Sequence, residues 1–212
     1  METIIRFFTN SAEVRNFGFN MITVSVILTV ILSSYQMWGV TQQIKTIKRR
    51  RSTESIFAPL FIFGFFYLVT TIFYGLYSSK LAITYNGFNA FFFLALLITI
   101  GRWGKINRLD ILAVILFSSM IPVMVFIPDK KTAYMSCSSV MLLGLLAQLI
   151  LLAIRKKRGS LEPKLMRVYI VTNSSWLIYG ILMDNWPLKL SNSIGLTLIV
   201  PIVILLRKYK DS

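Results

Sequence analysis

Seven apolar runs, each close to the length that carries a helix across a bilayer, take up most of this 212-residue chain. A hydrocarbon core about 30 Å thick is crossed by about 20 helical residues, and runs of that size lie near 17–41, 56–77, 81–101, 109–127, 133–154, 164–183 and 188–206. Inside that core no water can satisfy a free peptide group, so each run is expected to bond its own backbone as a helix. The separators KTIKRRRSTES, RWGKINR, PDKK and RKKRGSLEP are short and polar. Neighbouring helices must therefore be antiparallel, and no length is left for a soluble domain. A hydrophobic share of 56% agrees with an integral, multi-pass membrane protein.

The net charge of +15 does not point to nucleic acid, because the basic residues come in bursts between apolar runs rather than on one folded face. With the N-terminus outside, 17 of the 23 Lys and Arg residues fall on the inner side, from Lys45 and Arg49–Arg51 through Arg102, Arg108 and Lys156 to Lys208 and Lys210. Arg6, Arg15, Lys80, Lys130, Lys131 and Lys189 stay outside. That asymmetry predicts an N-out, C-in topology with an odd number of spans. The chain has no His and a single cysteine, Cys137, so neither an internal disulfide nor a zinc or iron site is expected, and no cofactor is predicted. The segment METIIRFFTNSAEVRN lacks the basic start, apolar core and small-residue cleavage site of a signal peptide and reads as a short retained tail.

Shifting the chain against itself by 105 residues pairs Ser33 with Ser138, Ser34 with Ser139, Gly39 with Gly144, Gln43 with Gln148, and Arg50 with Arg155. It also pairs Ser55 with Ser160, Tyr74 with Tyr179, Gly75 with Gly180, Arg102 with Arg207, and Lys105 with Lys210. A slip of one residue adds Pro59 with Pro163 and Asn86 with Asn192, and Trp176 falls opposite Thr71. The order of these matches, more than their number, indicates a duplication. Three helices (17–101), one linker helix (109–127) and three more (133–206) make a 3+1+3 layout, in which the odd linker gives both triplets the same orientation in the membrane.

With those motifs in place the chain resembles the SWEET and PQ-loop superfamily of transporters, over almost everything after residue 30. QQIKTIKRRRSTES at 42–55 looks like a first PQ-loop and AQLILLAIRKKRGS at 147–160 like a second, with Gln42 and Ala147 where that family usually has proline. WLIYG at 176–180 and IFYG at 72–75 resemble its WxxYG signature. Asn86 and Asn192 resemble its paired pocket asparagines, whereas Asn89 stands for the Gly of an NxxG pattern and Ser191 for the Pro before the second Asn.

The resemblance implies alternating access around a solute held near mid-membrane. Asn86 and Asn192 would bind by neutral hydrogen bonds, since an amide both donates and accepts. Trp176, one turn from Asn173 and beside Ser175, would stack on a ring, with Thr71 as its small polar counterpart. Pro59 and Pro163 are candidate pivots, Gln43 and Gln148 a candidate inner gate, and Tyr74, Tyr179 and Asp184 a candidate outer gate. Arg167, about one turn into the sixth helix, is expected to snorkel to the inner surface.

None of the eight acidic residues falls at mid-span, so no proton relay is evident and a passive facilitator is expected. The expected solute is a mono- or disaccharide, with amino acids or nicotinamide riboside as the alternative. A sorting receptor of the KDEL type would need more cavity charge than Arg167 supplies. A retinal protein would need a lysine at the middle of the last helix, and an enzyme would need a nucleophile with its base. The expected surroundings are lipid and a small solute in a plasma or inner membrane, with an endomembrane as the alternative and a homo-oligomer open.

Overall fold

A computed structural model describes residue 7 and residues 9–209; Glu2, Arg6, Lys210 and Asp211, used in the charge and repeat counts, lie outside the described residues. In chain order the elements are α1 (Ala12–Arg15), α2 (Met21–Arg50), α3 (Ala58–Tyr77), α4 (Leu81–Gly87), α5 (Ala90–Trp103), α6 (Arg108–Ser118), α7 (Met120–Phe126), α8 (Lys130–Arg155), α9 (Pro163–Leu182) and α10 (Trp186–Lys208). The segments α4–α5 and α6–α7 each form one span. The protein is thus an all-helical, multi-pass membrane protein with the expected 3+1+3 layout.

Six of the seven spans are apolar enough to cross a membrane by composition alone. The seventh, α9, has the length, 20 residues, but carries Lys164, Arg167, Asn173, Ser174 and Ser175. It packs between α2 and α10, where neighbouring helices replace lipid. A polar helix is tolerated at that place because its hydroxyls bond to its own backbone, as Ser174 Oγ does to Ile170 O at 2.9 Å and Ser175 Oγ to Thr172 O at 3.2 Å.

Three boundaries differ from expectation. The first span runs on to Arg50, so most of KTIKRRRSTES is helix and the chain turns only at Arg51, which is left-handed at φ 48°. Lys156, 105 residues later, ends α8 in the same way at φ 51°. The third span breaks at Phe88 and Asn89, where Gly87 lets α4 press on α3: a Cβ on Gly87 would stand 2.3 Å from Ile72 Cγ1. The fourth breaks at Ser119, because Pro122 has no N–H to return to Ser118, the residue four before it. Pro59 and Pro163 both stand in the first turn of their helices, a position where the missing N–H costs nothing.

The two triplets embrace each other reciprocally. Span 1 packs on α9 of the second triplet, and α8 packs on α3 of the first. Gly39 makes room for Leu165 and Val168, while its counterpart Gly144 makes room for Leu60, the residue equivalent to Leu165. Within each triplet a second glycine pair closes a helical hairpin. A Cβ on Gly75 would lie 2.5 Å from Thr84 N, and one on Gly180 would lie 3.1 Å from Lys189 N. The shared glycine of IFYG and WLIYG is therefore a packing residue, as small residues often are between membrane helices.

Gly75→Ala should lower stability by about 1–3 kcal/mol, since backbone rather than a flexible side chain must move. Gly180→Ala, with its looser contact, should cost less. Thermal melting of the two purified variants in one detergent checks the order.

Candidate functional site

Two buried apolar clusters lie at different depths. One, toward the basic end, includes Leu60, Leu68, Leu145, Leu165, Tyr169 and Leu206. The other, toward the opposite end, includes Tyr74, Ile83, Tyr134, Trp176, Tyr179 and Leu188. Residues of both clusters line a cavity of 80 Å³ between the triplets. The structure brings all five predicted binding residues, Asn86, Asn192, Trp176, Asn173 and Thr71, to its wall. Gln36, Tyr67, Tyr134, Tyr169 and Thr172 join them, and among the described residues no Asp, Glu, Lys or Arg lines it.

The hydrogen bonds of the wall determine what it offers. Asn173 Nδ2 donates to Tyr169 O at 2.7 Å and Asn192 Nδ2 to Leu188 O at 2.7 Å. A peptide carbonyl can only accept, so each amide is oriented with Oδ1 as its free end. Thr71 and Thr172 likewise spend their hydroxyl protons on Tyr67 O and Val168 O, at 2.8 and 3.0 Å, and keep lone pairs. Asn86 is the opposite case. Its Oδ1 accepts from Asn89 Nδ2 at 3.0 Å, leaving its NH₂ as the free end. The two repeat-related asparagines thus present unlike groups, a donor from the first triplet and an acceptor from the second. Asn89, the departure from the NxxG pattern, is what polarises the pair.

At the basic end the cavity is closed by a pair of matched clamps. Gln43 Nε2 donates to Ser160 O at 2.8 Å and its Oε1 accepts from Glu162 N at 2.7 Å. In the other triplet Gln148 Nε2 donates to Ser55 O at 3.2 Å and its Oε1 accepts from Phe57 N at 3.0 Å. Each glutamine holds the loop between the first two helices of the opposite triplet, and both are fully buried. Thr46 Oγ1 donates to Glu162 Oε2 at 2.6 Å, Ser160 N donates to Glu54 O at 2.8 Å, and Arg50 donates to Gly159 O. Arg167 is exposed, with Nε donating to Pro163 O at 3.4 Å, and takes no part in the cavity.

The opposite end is closed by rings. Tyr74 and Tyr134 stack with centroids 4.3 Å apart, Tyr134 bonds to Tyr67 through their hydroxyls, and Trp176 meets Tyr179 edge-on at 5.4 Å. Tyr74 Oη accepts from Asn185 Nδ2 at 3.1 Å. Asp184 stands apart from this layer: its carboxylate is exposed, pairs with Lys189 Nζ at 2.9 Å, and is held below the usual carboxylate range by that hydrogen bond. Asn185, one residue on, is the group that reaches the tyrosine.

Glu13 is a buried residue at this end that sequence reasoning missed. Its Oε1 accepts from Tyr179 Oη at 2.8 Å and from Ala82 N at 3.2 Å, tying the second triplet to the first. The side chain is buried, and its Oε2 has no hydrogen-bond partner among the described residues. Ser11 caps α1 through Val14 N, and Ala12 N donates to Ser79 O at 3.2 Å, so the described part of the expected tail is folded against the bundle end. Burial pushes the nearby Lys80 ammonium below the ordinary lysine range, an effect that Glu13 partly offsets. The only available signal was an Asx/Ser-capped acidic first turn, SAE, too short to separate from a loop. Glu13, Asp110 and Glu162 are all buried, and all three lie at bundle ends rather than at mid-span.

No family model and no curated protein matches the sequence. Among solved structures, a eukaryotic SWEET transporter superposes with a TM-score of 0.63 over 90% of this chain and 97% of its own, at 18% identity. The fold is that of a SWEET transporter. At that identity the likeness concerns the fold, and the chemistry has to come from the cavity itself.

Glu13→Ala should cost about 1–3 kcal/mol, because it strips partners from a buried hydroxyl and a buried N–H. Tyr179→Phe should cost less in the Glu13→Ala background than in the native chain. A double-mutant cycle of melting temperatures gives this coupling directly.

Proposed function

We propose that the protein moves a small, uncharged, hydroxyl-rich solute across the membrane by alternating access, with a mono- or disaccharide as the favoured class. The observation that carries this reading is the cavity between the two triplets: neutral, lined by a Trp and three Tyr side chains, and offering both a free amide donor and several free acceptors. A sugar has the matching form, apolar C–H faces for the rings and hydroxyls that donate and accept. An anion would meet mainly acceptor oxygens and no cation. The SWEET fold supports the same reading at the level of architecture.

The cavity is 80 Å³, against about 300–1,000 Å³ for sites that hold a small ligand. Loading therefore requires the triplets to separate, and the closed layers at the two ends are the places to open. Tyr74, Tyr179, Asn185 and Glu13 form the layer that must part on one side; Gln43 and Gln148 form the clamps that must part on the other. Pro59 and Pro163 begin the helices next to those clamps and serve as the pivots. The absence of a charged lining residue favours a facilitator that runs down its solute's gradient.

The same polar set also fits the amide and hydroxyl groups of nicotinamide riboside. The donor on Asn86 and the acceptors on Asn173 and Asn192 would each find a partner on a carboxamide.

Counterflow into liposomes holding the purified protein, loaded in turn with glucose, sucrose, nicotinamide riboside and neutral amino acids, identifies the solute. Trp176→Ala and Asn192→Ala should each lower exchange at least tenfold, a loss of about 1.4 kcal/mol, with normal membrane insertion. Full exchange by both variants would remove the cavity from the transport path. Specific binding without exchange of any solute would favour a receptor.

A further inference from the structure

At the basic end, away from the solute cavity, a groove of 580 Å³ opens between the turn after α2, the turn after α5 and the end of α8. Three exposed cations line it, Arg51, Lys105 and Arg155, against one exposed carboxylate, Glu54. Asp110 also lines it, but that side chain is about nine-tenths buried. Its Oδ2 accepts from Asn107 N at 3.0 Å, and its Oδ1 is buried without a partner. The exposed charge of the mouth is therefore positive. Trp103 forms part of the wall, with the Arg51 guanidinium 5.8 Å from its ring centroid.

This groove continues into a second one of 370 Å³ that runs along α3, α5 and α6. Ala58, Ile100, Gly101, Ile106 and Asp110 belong to both. Apart from Asp110, the residues lining the second groove, among them Ile62, Leu97, Ile111 and Val114, are all apolar. Gly101 sits at the junction. A Cβ there would meet nothing within 4 Å, so packing does not explain the glycine, although alanine would favour the helix by about 1 kcal/mol. Its lack of a side chain keeps the two grooves continuous.

We infer that this composite groove binds one anionic glycerophospholipid, with the phosphate at Arg51, Lys105 and Arg155 and an acyl chain in the apolar channel past Gly101. Basic pockets between spans on the positively charged side of a membrane protein suit such headgroups. A free phosphate would use the mouth alone and gain nothing from an apolar channel. The linker helix α6 forms one wall, so the lipid would fasten the linker to the first triplet, at a distance from the clamps.

The test is native mass spectrometry of the delipidated, full-length protein with dioleoyl-phosphatidylglycerol or dioleoyl-phosphatidylcholine, with inorganic phosphate as competitor. One phosphatidylglycerol should be retained at least tenfold more strongly than phosphatidylcholine, and millimolar phosphate should not displace it. The triple variant Arg51→Gln, Lys105→Gln, Arg155→Gln should retain the two lipids equally. Gly101→Phe, which fills the channel and leaves every charge in place, should lose the bound lipid, with an unchanged melting profile in detergent as its folding control. Equal retention of both lipids by the native protein, a preference that survives the triple variant, or displacement by phosphate would each overturn the assignment.

Discussion

In hydrocarbon a polar group that lets go of its partner finds no water to replace it, and the pairing of the two triplets is built on that fact. Gln43 and Gln148 each satisfy a carbonyl and an N–H on the loop between the first two helices of the opposite triplet. The loops have backbone groups to satisfy just where helices end, and the glutamines satisfy them from across the interface. Breaking those bonds would leave four backbone groups and two buried amides in need of entering water or another set of partners.

The two ends use different chemistry for the same duty. The basic end is joined by amide-to-backbone bonds, the opposite end by stacked tyrosines, an asparagine and the single buried oxygen pair of Glu13. An aromatic layer is held mainly by area and shape, and can slide and re-form. The glutamine clamps are directional and either hold or do not. Between the two layers sits a wall whose polar groups have mostly spent their protons on their own helices. Asn86 is the exception, with its NH₂ left as the free donor among groups that keep lone pairs.

Much of this architecture was legible in the sequence. Apolar length located the seven spans, and the 105-residue offset found the pairs Gln43/Gln148 and Gly75/Gly180, which the structure places in equivalent surroundings, and Tyr74/Tyr179, which it places in the same layer with different partners. The five cavity residues were also legible, through the resemblance and through polarity inside apolar runs. What stayed hidden depends on contacts distant in sequence. A hydropathy profile cannot say that Glu13 turns inward to Tyr179, 166 residues away, or that Asn185 and not Asp184 meets Tyr74. Nor does an Asn at position 86 reveal which end of its amide is free until Asn89 is seen to claim the oxygen. The basic stretch after residue 41 reads as a loop because charge normally marks an exit from the membrane. In the structure the helix continues past the apolar run, with those charges on its exposed end.

The matched clamps carry a further consequence. A contact in which residue i of one half grips residue j of the other, while j's half returns the same grip through the equivalent residues, is the isologous kind that two identical subunits form around a two-fold axis. The surface of either triplet is thus close to complementary to itself. Two separate copies of one triplet would insert in the same direction without help. Joined in one polypeptide they need an odd helix to bring the chain back, and α6–α7 meets that topological requirement.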